Sequence, residues 1–154
     1  MSQESAQSYF RMMLLTVAGA AFAAAGYTLD DDPLQQAGGL FRFRADLPEG
    51  LTGFIDYQLL AYTPTEFAPP SPSRFQVTLV RTDQLAPTLP SAHSRFARRS
   101  LAALVVDDFG VRIVPSADHW WTYRDSVELG NALAEVGHLV VGFGIPWLAG
   151  QLAP

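Results

Sequence analysis

The sequence predicts an α+β fold, an antiparallel sheet of about five strands with an N-terminal and a C-terminal helix packed on one face. Three observations carry this expectation. Near the start, Phe10, Met13, Leu14, Val17, Ala21 and Phe22 recur at three- and four-residue spacing, the stripe of an amphipathic helix. Near the end, Leu129, Leu133, Val136, Val140 and Phe143 do the same. Between them lie segments that alternate apolar and polar residues, the period of a half-buried strand. No internal repeat interrupts the chain, and residues 1–154 read as a single α+β domain.

The first helix is expected over residues 4–25. Ser2 or Ser5 stands where a cap belongs, and Gly26 stands where a helix stops. The alternative is an exported leader, because residues 12–25 are apolar and small. Against it, Arg11 is the only basic residue before the run, Glu4 cancels its charge, and Thr16 and Gly19 interrupt the apolar core. The run is too short and too rich in alanine for a membrane span. The expected setting is therefore cytoplasmic, with export as the alternative and no membrane partner.

Asp30, Asp31, Asp32 and Pro33 form a polar connection. A calcium loop would need alternating ligands and a distal glutamate, which are missing, so a solvated turn is expected. Phe41 and Phe43 then fall on one strand face, with Arg42 and Arg44 on the other. A turn at 47–50 leads to a second strand over 51–62, with Ile55, Tyr57 and Leu59 on one face, Asp56 and Gln58 on the other, and Ile55 or Phe54 expected in the core. A proline-bearing loop over 63–73 precedes the clearest strand, 74–81, where Phe75, Val77 and Leu79 face the core. Residues 94–99 are expected as a helical turn. Residues 101–106 and 110–114 are expected as two strands of a hairpin turning at Asp107-Asp108-Phe109-Gly110. Asp125 or Ser126 caps the last long helix, and Pro146 opens a final turn.

Composition excludes several chemistries. The chain has 49% hydrophobic and 16% charged residues, enough apolar material for a core. It has no cysteine, so disulfides, thiolate metal sites and cysteine nucleophiles are ruled out. It has no lysine either, since all ten basic residues are arginine, which removes Schiff-base chemistry. A net charge of −5 argues against nucleic acid as a partner.

The order of segments resembles an uncharacterised bacterial family, the domain of unknown function 4304. The resemblance rests on a helix ending in Ala24-Ala25-Gly26-Tyr27 and on the strand Phe41-Arg42-Phe43-Arg44. Phe54-Ile55-Asp56-Tyr57-Gln58 and Arg74-Phe75-Gln76-Val77-Thr78-Leu79 follow, with Gly144-Ile145-Pro146-Trp147-Leu148 at the tail. The loops at 63–73 and 82–92 depart from its pattern. The resemblance implies an α+β fold and lends no activity.

Candidate chemistry is sparse. The three histidines, His93, His119 and His138, show no metal-ligand spacing, and no metal or cofactor is expected. His138 lies within the last helix and reads as a surface or half-buried residue. A hydrolase would have to use His93, near Ser91 and Ser94, or His119, next to Asp118, yet no nucleophile elbow is present. The densest functional signal is the run His119, Trp120, Trp121, Thr122, Tyr123, Arg124. Trp, Tyr and Arg concentrate binding energy at interfaces. On an extended backbone adjacent side chains diverge, so one of the two tryptophans should leave the core or line a groove.

The expected function is a noncatalytic protein-interaction or regulatory module, with His119, Trp120, Trp121, Tyr123 and Arg124 as the tentative binding residues. The expected partner is another protein or a second copy in a homodimer. A small-molecule-binding domain is the alternative, ahead of a hydrolase.

Overall fold

The computed structural model describes residues 3–63 and 71–154, with side chains from residue 6 onward. The proline-bearing loop expected at 63–73 and the cap expected at Ser2 or Ser5 therefore lie largely outside the described residues.

Helix α1 (Gln3–Leu14) runs through a π-helical turn, Leu15–Gly19, into α2 (Ala20–Ala24). Phe10, Leu14, Ala18 and Phe22 are its buried apolar residues, each four positions from the last, and Gln7 is buried as well. In a regular α-helix those twelve residues would leave Phe22 about 120° off the Phe10 face. The wider turn absorbs roughly one extra residue and restores the alignment to about 20°. The same shift turns Val17 and Ala21 outward, so the expected stripe is corrected at those two positions. Gly26, with φ of 90°, ends the helix as expected.

Strand β1 (Thr28–Leu29) follows, then α3 (Pro33–Ala37). The aspartate turn is a cap: the Asp32 carboxylate accepts from the Leu34 and Gln35 amides, with proline behind it at the first helical position. Asp30 instead receives two hydrogen bonds from Arg44.

Strands β2 (Leu40–Leu47) and β3 (Leu51–Leu60) form the expected hairpin through the turn Pro48–Gly50. Strand β4 (Ser73–Thr82) pairs antiparallel with β3. These three strands are where alternation placed them, and Phe41, Phe43, Ile55, Tyr57, Phe75, Val77 and Leu79 are all buried in one core. On the opposite face Arg42 and Asp56 sit in register and join through two hydrogen bonds.

The fold class holds, but the last two expected strands do not. Residues 94–99 were expected as a helical turn, whereas β5 (Ala97–Ser100) is a strand on β4. Residues 101–106 were expected as a strand, whereas α4 (Leu101–Ala103) continues into a π-helical turn, Leu104–Asp108. Ser100 caps this helix by accepting from the Ala103 amide. Leu101 through Val105 are all buried, so the apolar run signalled burial on every side rather than a strand. Gly110, with φ of 67°, closes the helix instead of turning a hairpin, and 110–114 is irregular.

Strand β6 (Trp121–Tyr123) pairs with the first residues of β4, while β5 pairs with the last. The two short strands thus share one edge of β4. Helix α5 (Ser126–Leu139) continues through the π-helical turn Val140–Gly144 into α6 (Ile145–Leu148). Asp125 caps α5 by accepting from the Glu128 amide. Leu129, Leu133, Val136 and Val140 pack into the core as expected.

Helices α1 and α5 lie side by side and run parallel. Tyr9 donates to Ser126 at 2.6 Å, while Met13 lies against Gly130 and Ala18 against Gly137. Among the described residues, no helix is long and apolar enough to cross a membrane.

Candidate functional site

The run from His119 to Arg124 is divided between two faces of β6. Trp121 is opposite Phe75 in the ladder and stacks on it, with ring centroids 6.0 Å apart. It is 3% exposed. Tyr123 also turns to the core side, where its ring stacks on Phe10 at 6.4 Å. Burial raises the Tyr123 hydroxyl above its ordinary pKa, a hydrogen bond with Ser73 lowers it and Tyr9 adds a smaller rise. Trp120 lies on the other face, half-buried, with the Arg74 guanidinium 4.7 Å from its ring centroid. Thr122 is opposite Arg74. Arg124 is exposed, and its amide donates to Glu128 at 3.0 Å in a capping arrangement around Asp125.

The divergence expected of adjacent tryptophans is therefore present. Trp121 reaches a groove, although it is buried. Trp120 is covered in part by Arg74 within the same chain.

The groove is an open cleft of about 310 Å³ between β6 and the first turns of α5. His119, Trp121 and Thr122 form one side. Glu128, Asn131, Ala132 and Glu135 form the other. Their spacing explains their convergence, because residues three, four and seven apart share one helix face. The Trp121 Nε1–H donates to Glu135 Oε2 at 3.0 Å, and the His119 ring meets the indole edge-on at 4.9 Å. The sequence reading found His119 and Trp121 but missed the acidic wall. The signal for it was present, since Glu128, Asn131 and Glu135 flank the apolar stripe on its polar side.

No hydrolytic constellation forms at either histidine. Asp118 accepts from Ser116 at 2.7 Å rather than orienting His119. At the other candidate, Ser91 donates to Asp83 at 2.6 Å, and His93 Nδ1 accepts the Arg95 amide at 3.0 Å. With Nδ1 an acceptor, the neutral ring carries its proton on Nε2, so neither nitrogen is a free base. The Ser91 hydrogen bond is the main reason the Asp83 carboxyl is held below the usual carboxylate range, with Gln84, its own backbone and His93 adding to it and partial desolvation opposing. His138 is exposed on α5. Among the described residues, no cluster of three or more His, Asp or Glu could hold a metal ion.

Compared with protein-family models, with curated proteins and with solved structures, the chain matches none.

Proposed function

We propose that this protein is a noncatalytic protein-interaction module and that the cleft between β6 and α5 receives a side chain of its partner. The observation that supports this reading is the lining of the cleft. It offers an aromatic base and hydrogen-bonding groups, His119, Thr122, Asn131, Glu128 and Glu135, and among the described residues no hydrogen bond joins the Thr122 hydroxyl to a histidine or carboxylate that would activate it. Both glutamates already accept hydrogen bonds, from the Arg124 amide and the Trp121 indole, so each is held in place by its own chain. An open cleft covers only part of a free metabolite, whereas a partner protein supplies the missing walls around an inserted side chain.

The test is site-specific photo-crosslinking in the native host. A photoreactive side chain replaces Asn131 in the cleft or, as a control, Leu85 on a distant loop. The expected result is one discrete protein adduct from position 131 only, suppressed by Glu135→Arg. A second copy of the chain would appear as an adduct of twice its mass. Equal adducts from both positions, or none from position 131, would remove this reading. A small molecule retained in native mass spectrometry and displaced by Glu135→Arg would replace it with the small-molecule alternative.

A further inference from the structure

We infer that the partner group entering the cleft is cationic, an arginine or lysine side chain of the partner protein. The inference rests on the cleft being the docking site and names the chemistry that would fill it.

Arginine satisfies some of this chain's carboxylates and not others. Arginines pair with Asp30, Glu49, Asp56, Asp107 and Asp108. Three of those contacts use two hydrogen bonds each, Arg42 on Asp56, Arg44 on Asp30 and Arg99 on Asp108. Asp31, Asp32, Asp46, Asp83, Asp118 and Asp125 have no arginine partner among the described residues, and neither do Glu128 and Glu135, which differ in lining one cleft together. No arginine lines the cleft, and neither glutamate is ion-paired among the described residues, even though Arg124 is close in sequence.

Each glutamate has one oxygen fixed by a neutral donor and the other without a donor among the described residues. The Arg124 amide takes Glu128 Oε1, which leaves Oε2. The Trp121 indole takes Glu135 Oε2, which leaves Oε1. The carboxylates are thus oriented and still able to accept, which is the preorganised state for a charge-assisted hydrogen bond. Ala132 and the edge of Trp121 supply apolar surface between them for an aliphatic stem. An anionic group would meet two negative charges here, and a purely apolar group would strip water from two carboxylates without replacing it. Seven residues along the helix separate the two acids by about 10.5 Å, so each can take its own cation. A partner segment with two basic residues answers that spacing better than a single one.

The test follows the Trp121 indole N–H by two-dimensional nitrogen–proton NMR, because that proton sits on Glu135. The probes are argininamide, its neutral isostere citrullinamide, putrescine, and a short peptide carrying two arginines. Argininamide should shift the resonance saturably, and citrullinamide should not. The peptide should bind at least about tenfold tighter than argininamide. Both shifts should weaken as salt rises and fall at least about tenfold in affinity in Glu128→Gln and Glu135→Gln. Melting curves confirm that each variant is folded, and Glu128→Gln keeps the indole bond as an internal reference.

If citrullinamide binds as well as argininamide, or if both glutamine variants bind unchanged, the cationic inference falls while the docking site stands. Tighter binding of putrescine than of the peptide assigns the cleft to a free amine and also overturns the inference. If no probe moves the indole and crosslinking from position 131 also fails, the docking site itself falls.

Discussion

The indole N–H of Trp121 donates to the Glu135 carboxylate at 3.0 Å, and this bond ties the last strand to the last long helix. The indole is otherwise enclosed by Phe75 and His119, so its one polar atom is satisfied inside the contact it helps to form. Trp120, on the opposite face, is half-buried with the Arg74 guanidinium over its ring. Trp121→Ala should therefore cost about 3–5 kcal/mol of unfolding free energy, and Trp120→Ala less than about 2. Urea denaturation measures both. A larger loss at Trp120 would contradict the division of the run between two faces.

Val77 sits in the middle strand pair, 1% exposed, opposite Tyr57. Val77→Ala should cost about 1–3 kcal/mol, since it removes two buried methyl groups without a route for collapse. A thermal melt unchanged by the substitution would contradict the placement of β4 at the centre of the core.

The alkaline limb of stability should come from two buried phenols. Burial raises the Tyr27 hydroxyl to about 12, and raises that of Tyr57 further. Both oxygens are buried without a hydrogen-bond partner. A folded-state pKa above the unfolded value means that the stability contribution is complete below about pH 10 and is lost as pH rises toward 12. Unfolding free energy should fall across that window by on the order of 1–2 kcal/mol per tyrosine. Tyr27→Phe and Tyr57→Phe should each flatten the fall. At neutral pH Tyr57→Phe should be neutral or stabilising by about 1 kcal/mol, because it removes a hydroxyl buried without a partner. A destabilised Tyr57→Phe would reveal a partner for that oxygen.

Glycine-to-alanine substitution should have opposite signs at two positions. A Cβ on Gly53 would overlap the Tyr27 hydroxyl and crowd Leu47. Gly53→Ala should cost about 1–3 kcal/mol through forced displacement in the core. A Cβ on Gly137 would lie 3.8 Å from that of Ala18, an ordinary contact. Gly137→Ala should stabilise by about 0.5–1 kcal/mol through helix propensity. Paired melting curves decide it. A stabilised Gly53→Ala would mean that Tyr27 does not seal that strand.

Arg81 donates to the backbone carbonyls of Arg95, Trp147 and Leu148. Arg81→Met keeps much of the stem but removes these donors, leaving the end of α6 unsatisfied. Amide exchange at residues 145–152 should rise at least about tenfold, with the sheet amides much less affected. Unchanged exchange there would show that apolar packing alone holds the tail.

The strands at 40–47, 51–60 and 73–82 were legible because each has one buried and one outer face, and that condition imprints a period of two. Residues 101–108 were misread because they are buried on all sides, which erases the period. β5, Ala-Arg-Arg-Ser, carries almost no local strand signal and exists because β4 offers it a ladder. The same limit applies to the cleft. His119 and Trp121 stood out by residue type, whereas Glu128 and Glu135 looked like ordinary solvated positions of an amphipathic helix.

The amino-acid order alone determined the α+β class, the stripe of the last long helix and that of the first except at Val17 and Ala21, the central hairpin with its neighbour, and the absence of cysteine and lysine chemistry. These follow from local periodicity and composition, which act over a few residues. Only the tertiary structure decided that α1 and α5 run parallel, that β5 and β6 share one edge of β4, and that two glutamates with no ion pair among the described residues face His119 and Trp121. Those relations join residues far apart in the chain, and their free energy comes from burial and pairing once the core has closed, so no short window of sequence contains them.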